Sequence, residues 1–213
     1  MKPNIALFVR HPECSIESCN GVIQALSPHY NFKLFSNDYL DEDFFKDVSI
    51  IAFPGGLGDS ERFHQFFRCN EDQITDFIKQ GGAYLGICMG AYWAGSEYFN
   101  ILDNVDAVQY ITRPTTDTHR PHAKAMPVTW LGQQERMYFY DGCALIGTGN
   151  FKTIATYANG DPMAIIQNRI GLIGCHPEST PDWYNKNYIK PHWHGYRHHN
   201  LLLDFVNELS KDL

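Results

Sequence analysis

The residues of this chain that could do chemistry fall in three short runs: Pro54-Gly55-Gly56, Gly86-Ile87-Cys88-Met89-Gly90 and His176-Pro177-Glu178. In the second run a cysteine has a glycine two residues away on each side. It follows the turn Gly81-Gly82 and the apolar stretch 83–87, and it leads into a stretch with helical spacing. Strand, sharp turn and helix in that order lift one side chain to the top of a sheet, as in a nucleophile elbow. Glycines on either side remove the side chains that would collide where strand and helix pack. Cys88 would stand at the helix start, where unpaired N–H groups and the helix dipole favour a thiolate. A buried structural thiol is the usual fate of a free cysteine. Turn, strand, glycine pair and helix all agree, however, and the elbow is the better reading.

His176 and Glu178 are two residues apart at the end of an apolar strand, so their side chains share a face. A carboxylate there can orient an imidazole and stabilise its protonated form. Cysteine needs such a base, because free thiol is mostly protonated at neutral pH and attack on a carbonyl requires thiolate. The Pro54-Gly55-Gly56 loop supplies N–H groups that can approach a developing oxyanion without side-chain obstruction, and the N–H of Met89 is a natural second donor. The plainer reading of that loop is a tight strand exit, and that of the His-Pro-Glu run a polar turn.

The elements needed to position these groups can be read from the same chain. Its 213 residues, 44% apolar and 14% aromatic, suit one domain with a sizeable core. Apolar runs at 5–9, 49–53 and 83–87 read as buried parallel strands, and 31–36 alternates like a further strand. Helical spacing covers about 15–26, with Ser15 as N-cap, then about 70–79, and from the elbow to Phe99. The expected fold is α/β: a doubly wound, mostly parallel, flavodoxin-like sheet with ligand sites beyond the carboxyl ends of its strands. From about 105 to 149 the rhythm changes to an antiparallel β excursion, with strands at 125–130 and 136–140. Strands follow at 153–157, 162–167 and 170–175, the first two joined by Asn159-Gly160, and a last amphipathic helix runs from about 198 to 209.

The formal charge of −7 argues against a nucleic-acid or anionic-membrane binder, and no window is long and apolar enough to span a bilayer. Six cysteines at irregular positions do not resemble a disulfide framework, which points to a reducing, cytoplasmic setting. Cys14, Cys19 and Cys175 read as structural thiols. His192, His194, His198 and His199 could bind a metal, but no cysteine or carboxylate stands at ligand spacing beside them, so no metal is expected. That aromatic-rich segment, 183–199, is expected to form part of a pocket wall. His119 and His122 read as solvated polar residues. Arg10, on the first strand's exit loop, could bind a substrate carboxylate or form a surface ion pair, and Asp59 and Arg62 have the same ambiguity.

Together the cysteine elbow, the later His-x-Glu and the Gly-Gly loop resemble the class I glutamine amidotransferase-like superfamily. Within it, GGAYLGICMGAYWAG and the PGG loop are most similar to the amidotransferase-like domain at the N-terminus of fungal-type biotin-protein ligases, which also occurs alone. The resemblance implies Cys88 as nucleophile, His176 as general base and acid, Glu178 as its orienter, and Gly56 with Met89 as oxyanion donors. Gly55, Tyr92 and Arg10 are the expected substrate contacts. It further implies a thiol-dependent amide hydrolase without cofactor, acting on a small amide or peptide-like substrate, alone, as a homo-oligomer or beside a separate ammonia-accepting enzyme. Glutamine-hydrolysing members usually have Gln four residues after the cysteine. Here that position is Tyr92, so glutamine is not carried over as substrate. The alternatives are a catalytically silent binding or regulatory module of the same fold, a cysteine peptidase-like hydrolase, and, more weakly, a redox or glyoxalase-like thiol protein.

Overall fold

Continuous apolar runs build the centre of the sheet. In the computed structural model, which describes residues 2–36, 40–57, 63, 67 and 70–211, β1 (Asn4–Phe8), β3 (Val48–Phe53) and β4 (Ala83–Ile87) are buried along nearly their whole length. Strands covered on both faces have that composition. With β2 (Asn31–Phe35) and β11 (Ile170–Ile173) they form five adjacent parallel strands in the order β2-β1-β3-β4-β11. This is the doubly wound, flavodoxin-like arrangement expected from the sequence. Beyond β11 the same sheet continues with antiparallel partners: β10 (Pro162–Gln167), β9 (Lys152–Tyr157), β6 (Lys124–Trp130) and β7 (Gln133–Phe139).

The segment 105–149 therefore divides between two sheets. The hairpin β6-β7 joins the main sheet through β9, whereas β5 (Val105–Gln109) and β8 (Cys143–Gly147) pair with each other in a small antiparallel sheet. Neither β5 nor β8 is evident from composition, because each alternates only weakly. The hairpin at Asn159-Gly160 is present, with Gly160 at φ +90 and the N–H of Tyr157 donating to the carbonyl of Asp161 at 2.9 Å.

Helix α1 (Ile16–Leu26) starts where the sequence places it, and Ser15 Oγ accepts from the N–H of Ser18 at 3.2 Å. A single turn, α2 (Glu42–Phe45), is capped by Asp41 and was not evident in the sequence. α3 (Glu71–Lys79) precedes β4, and α4 (Met89–Trp93) follows it. The helix after Cys88 was expected to reach Phe99, but it stops at Trp93. Asp106 on β5 captures the chain just beyond, accepting from Ser96 Oγ at 2.6 Å and from the N–H of Ser96 at 3.1 Å. α5 (Arg197–Leu209) buries Leu202, Phe205, Val206 and Leu209, the stripe foreseen from spacing.

An aromatic cluster fixes α4 against the parallel strands. Trp93 packs on Phe8, Phe53, Phe63 and Phe67 with ring centroids 5.1–5.8 Å apart. Each such contact adds roughly 0.5–1.5 kcal/mol beyond area burial, and the sum holds the turn before α4 in place. Among the described residues no helix is long and apolar enough to cross a membrane.

Candidate active site

At the carboxyl end of β4, Cys88 has φ +50 and ψ −101, a backbone conformation that side-chain-bearing residues avoid. Its N–H donates to the carbonyl of Ile173 at 2.8 Å, and its carbonyl accepts from Ala91 and Tyr92 at 3.0 and 3.1 Å. The flanking glycines have the steric reason expected. A Cβ on Gly86 would lie 2.4 Å from the carbonyl oxygen of Gly90, and one on Gly90 would lie 2.0 Å from that of Phe53. Tyr84 Oη clamps the turn by donating to the carbonyl of Gly90 at 2.7 Å. Since α4 is only five residues long, the helix dipole expected to favour a thiolate contributes little.

His176 stands just beyond β11, its N–H bonded to the carbonyl of Tyr138 at 2.8 Å, and it lines the same cleft as Cys88, whose thiol is directed at the carbonyl of Tyr140 with Sγ 3.7 Å from the oxygen. His176 Nδ1 is 2.9 Å from Glu178 Oε1. Both residues are buried, Glu178 completely. Burial alone would favour neutral imidazole, but the charge of Glu178, with Cys88, outweighs it and raises the His176 pKa to about 10. Glu178 is itself held. Ser18 Oγ donates to Glu178 Oε1 at 2.6 Å while accepting from the N–H of Gly55 at 2.9 Å. The carbonyl of Glu178 is hydrogen-bonded to His199 Nε2 at 3.1 Å, which ties α5 to the same loop.

The glycine loop is fixed by two backbone bonds, Ser15 N–H to Gly55 carbonyl at 2.8 Å and Leu57 N–H to Glu13 carbonyl at 2.7 Å. They present Gly56 edge-on to Cys14, so closely that a Cβ on Gly56 would sit 1.9 Å from the Glu13 carbonyl oxygen. Among the described residues, neither the N–H of Gly56 nor that of Met89 has a hydrogen-bond acceptor. Cys88, His176, Gly55 and Gly56 line one cleft of about 290 Å³ together with Ser15, Glu17, Leu57, Tyr138, Tyr140 and Trp183.

Of the other expected contacts, Gly55 lines this cleft, but its N–H is committed to Ser18. Tyr92 and Arg10 do not line it. Tyr92 Oη donates to the carbonyl of Asp141 at 3.2 Å, and Arg10 pairs with buried Glu13 at 3.2 Å. His119 and His122 are exposed and away from the cleft. Asp59, Arg62 and Cys69 lie outside the described residues.

Trp183 forms the expected wall, its ring 5.1 Å from that of His176 and 4.8 Å from that of Tyr138. The rest of that segment packs elsewhere. His194 stacks on His198 at 3.8 Å, and buried His198 bonds through Nε2 to Glu135 at 3.1 Å. Among the described residues no group of three His, Cys, Asp or Glu side chains is arranged to hold a metal ion.

Sequence reasoning missed Ser18, Tyr138, Tyr140 and Glu17. Glu17 and Ser18 lie in the first turn of a helix whose N-cap was recognised, so the start of α1 carried a signal. Tyr138 lies on β7 and Tyr140 just beyond its end, in the antiparallel half of the sheet, where nothing local marks them.

Residues 10–108 match the family described as biotin-protein ligase, N terminal. The chain is 26% identical over 204 residues to the biotin–protein ligase of Schizosaccharomyces pombe, a match covering 79% of this chain and 32% of that one. An uncharacterised protein of Chlamydia muridarum is 26% identical over 164 residues, covering 64% of this chain and 62% of that one. The chain thus spans about a third and less than two thirds, respectively, of these relatives. Among solved structures, a glutamine amidotransferase from Thermotoga maritima superposes with a TM-score of 0.69 at 9% identity, over 100% of both chains. PurLQS from the same organism gives 0.68 at 16% identity, over 98% of this chain and 100% of that one. The fold expected from the elbow, the His-x-Glu and the glycine loop is borne out by these structures, and the family that the resemblance named is the one matched over residues 10–108.

Proposed function

From a chain with the glutamine amidotransferase-like fold, matched over residues 10–108 by the biotin-protein ligase N-terminal family, we propose a thiol-dependent hydrolase of amides. The observation that carries this reading is the hydrogen-bonded line from His176 through Glu178 to Ser18 in the cleft that Cys88 also lines, beside two N–H groups with no acceptor among the described residues. In this mechanism His176 takes the thiol proton of Cys88, and sulfur attacks the amide carbonyl. The oxyanion is held by the N–H groups of Gly56 and Met89. Collapse breaks the C–N bond, and His176 gives its proton to the departing amine. Water, deprotonated by the same imidazole, then cleaves the thioester and returns the thiol. Every group required comes from the chain itself.

Small amides or peptide-like molecules suit a cleft of about 290 Å³ with aromatic walls. Glutamine is not favoured, because position 92 is tied to Asp141 instead of facing the cleft. The same observation supports a second reading, a binding or regulatory module that keeps the elbow without turnover.

The test is alkylation of Cys88 by iodoacetamide at pH 7, followed by peptide mass mapping, in the unaltered protein and in His176→Ala. A fall of tenfold or more in His176→Ala supports a catalytic pair and justifies an amide-substrate screen. Equal rates would count against the hydrolase and leave the binding module.

A further inference from the structure

The cleft in front of Cys88 has a chemical character that the hydrolase reading does not require. Ser15, Glu17, Leu57, Tyr138, Tyr140 and Trp183 form its walls around Gly55, Gly56, Cys88 and His176. Three of these walls are aromatic. Two large apolar side chains stand open to solvent there, Leu57 at 74% and Tyr140 at 46% exposure. The only carboxylate on the cleft wall among the described residues is Glu17, and Ser15 Oγ fixes it with a hydrogen bond to Glu17 Oε2 at 2.8 Å. Among the described lining residues there is no lysine or arginine.

We propose that this cleft selects an amide carrying an aliphatic cation, an alkylammonium or guanidinium group, with Glu17 as the residue that determines the preference. The aliphatic stem would lie on Leu57 and Tyr140, in the manner in which lysine and arginine stems cover apolar surface. The aromatic faces of Tyr138, Tyr140 and Trp183 attract a cation through their quadrupoles, and Glu17 supplies the opposite charge. The hydrogen bond from Ser15 also lowers the Glu17 pKa, so the carboxylate is ionised at neutral pH. An anionic substrate would meet that charge with His176 as the one cation among the described lining residues, and that imidazolium is already paired with Glu178 at 2.9 Å.

As a statement about substrates this rests on the hydrolase reading. The cation preference of the cleft does not, and it is measured without turnover. The probes are three methanethiosulfonates of similar size, with aminoethyl, propyl and sulfonatoethyl groups, and the readout is the rate of Cys88 modification by peptide mass mapping. Each rate is divided by that of a small free thiol with the same reagent. The cationic-to-anionic ratio is compared in the unaltered protein, in Glu17→Gln, and in Asp43→Asn, which removes an exposed charge on α2 before the amino end of β3.

A ratio in favour of the cation that falls at least about fivefold in Glu17→Gln, the worth of one unit charge at contact distance in water, and that persists in Asp43→Asn, supports the proposal. A ratio that is unchanged in Glu17→Gln overturns it, as does one that falls equally in both variants, since the overall charge of −7 would then be the cause. Preference for the anionic reagent overturns it as well. None of these outcomes depends on whether His176 activates Cys88, so loss of the hydrolase reading and loss of cation selectivity are told apart.

Discussion

Ser18 Oγ donates to Glu178 Oε1 at 2.6 Å across 160 residues of sequence, and the same oxygen accepts the N–H of Gly55 at 2.9 Å. One buried hydroxyl thus joins the carboxylate behind His176 to the glycine loop in front of Cys88. Ser18 reaches both because α1 packs its small face on the loop after β11, where a Cβ on Gly21 would lie 2.2 Å from the carbonyl oxygen of Glu178.

Ser18→Ala removes both bonds and leaves a buried carboxylate short of a donor. Hydrogen bonds to charged groups contribute about 1.5–3 kcal/mol, so a loss of about that size is expected in urea unfolding. Alkylation of Cys88 at pH 7 should slow in the folded variant. A stability change below 0.5 kcal/mol, together with unchanged alkylation, would show that the link positions nothing.

Glu178→Gln removes the charge that holds His176 protonated. In the unaltered protein the folded-state pKa of His176 is raised to about 10. Its stabilising contribution is therefore complete below the unfolded value near 6.5 and is lost as pH rises toward 10, because the folded state binds the extra proton over that range. In Glu178→Gln the burial of the imidazole is no longer outweighed, and the fall in Tm between pH 6.5 and 10 should flatten. Thermal unfolding across that range checks it, and an unchanged slope in the variant would rule out Glu178 as the cause.

Gly90→Ala places a methyl 2.0 Å from the Phe53 carbonyl oxygen, where backbone has no room to yield. Overpacking of this kind costs about 1–3 kcal/mol or more. Chemical denaturation should show that loss, and the folded fraction should lose Cys88 reactivity because α4 must shift. Gly132→Ala is the comparison for reactivity: its Cβ meets nothing within 4 Å, so any loss of stability comes from its φ of +84 alone, and Cys88 should keep its reactivity.

Tyr92→Phe deletes a single hydrogen bond, to the carbonyl of Asp141, from a side chain that does not line the cleft. The expected cost is about 0.5–1.5 kcal/mol in stability, with the Cys88 alkylation rate kept within twofold. A large loss of reactivity would place Tyr92 nearer to the substrate than its hydrogen bond indicates.

The sequence by itself determined the parallel core and the identity of the chemical groups. Buried strands show as apolar runs, and an elbow shows as Gly86-Ile87-Cys88-Met89-Gly90, because both depend on local sterics and on burial of contiguous residues. His176 and Glu178 were legible for the same reason, two residues apart at one strand end. The tertiary structure alone decided what surrounds them. Ser18 faces Glu178 only because α1 packs against the loop after β11, and Tyr138 reaches His176 only because β7 closes the antiparallel half of the sheet. Tyr92 and Arg10 carry the right chemistry at sites near the elbow and the first strand's end, yet each is captured by another partner, Asp141 or Glu13. Residue type and spacing fix what a side chain can do, whereas the contacts that aim it come from segments distant in the chain, whose packing no local pattern encodes.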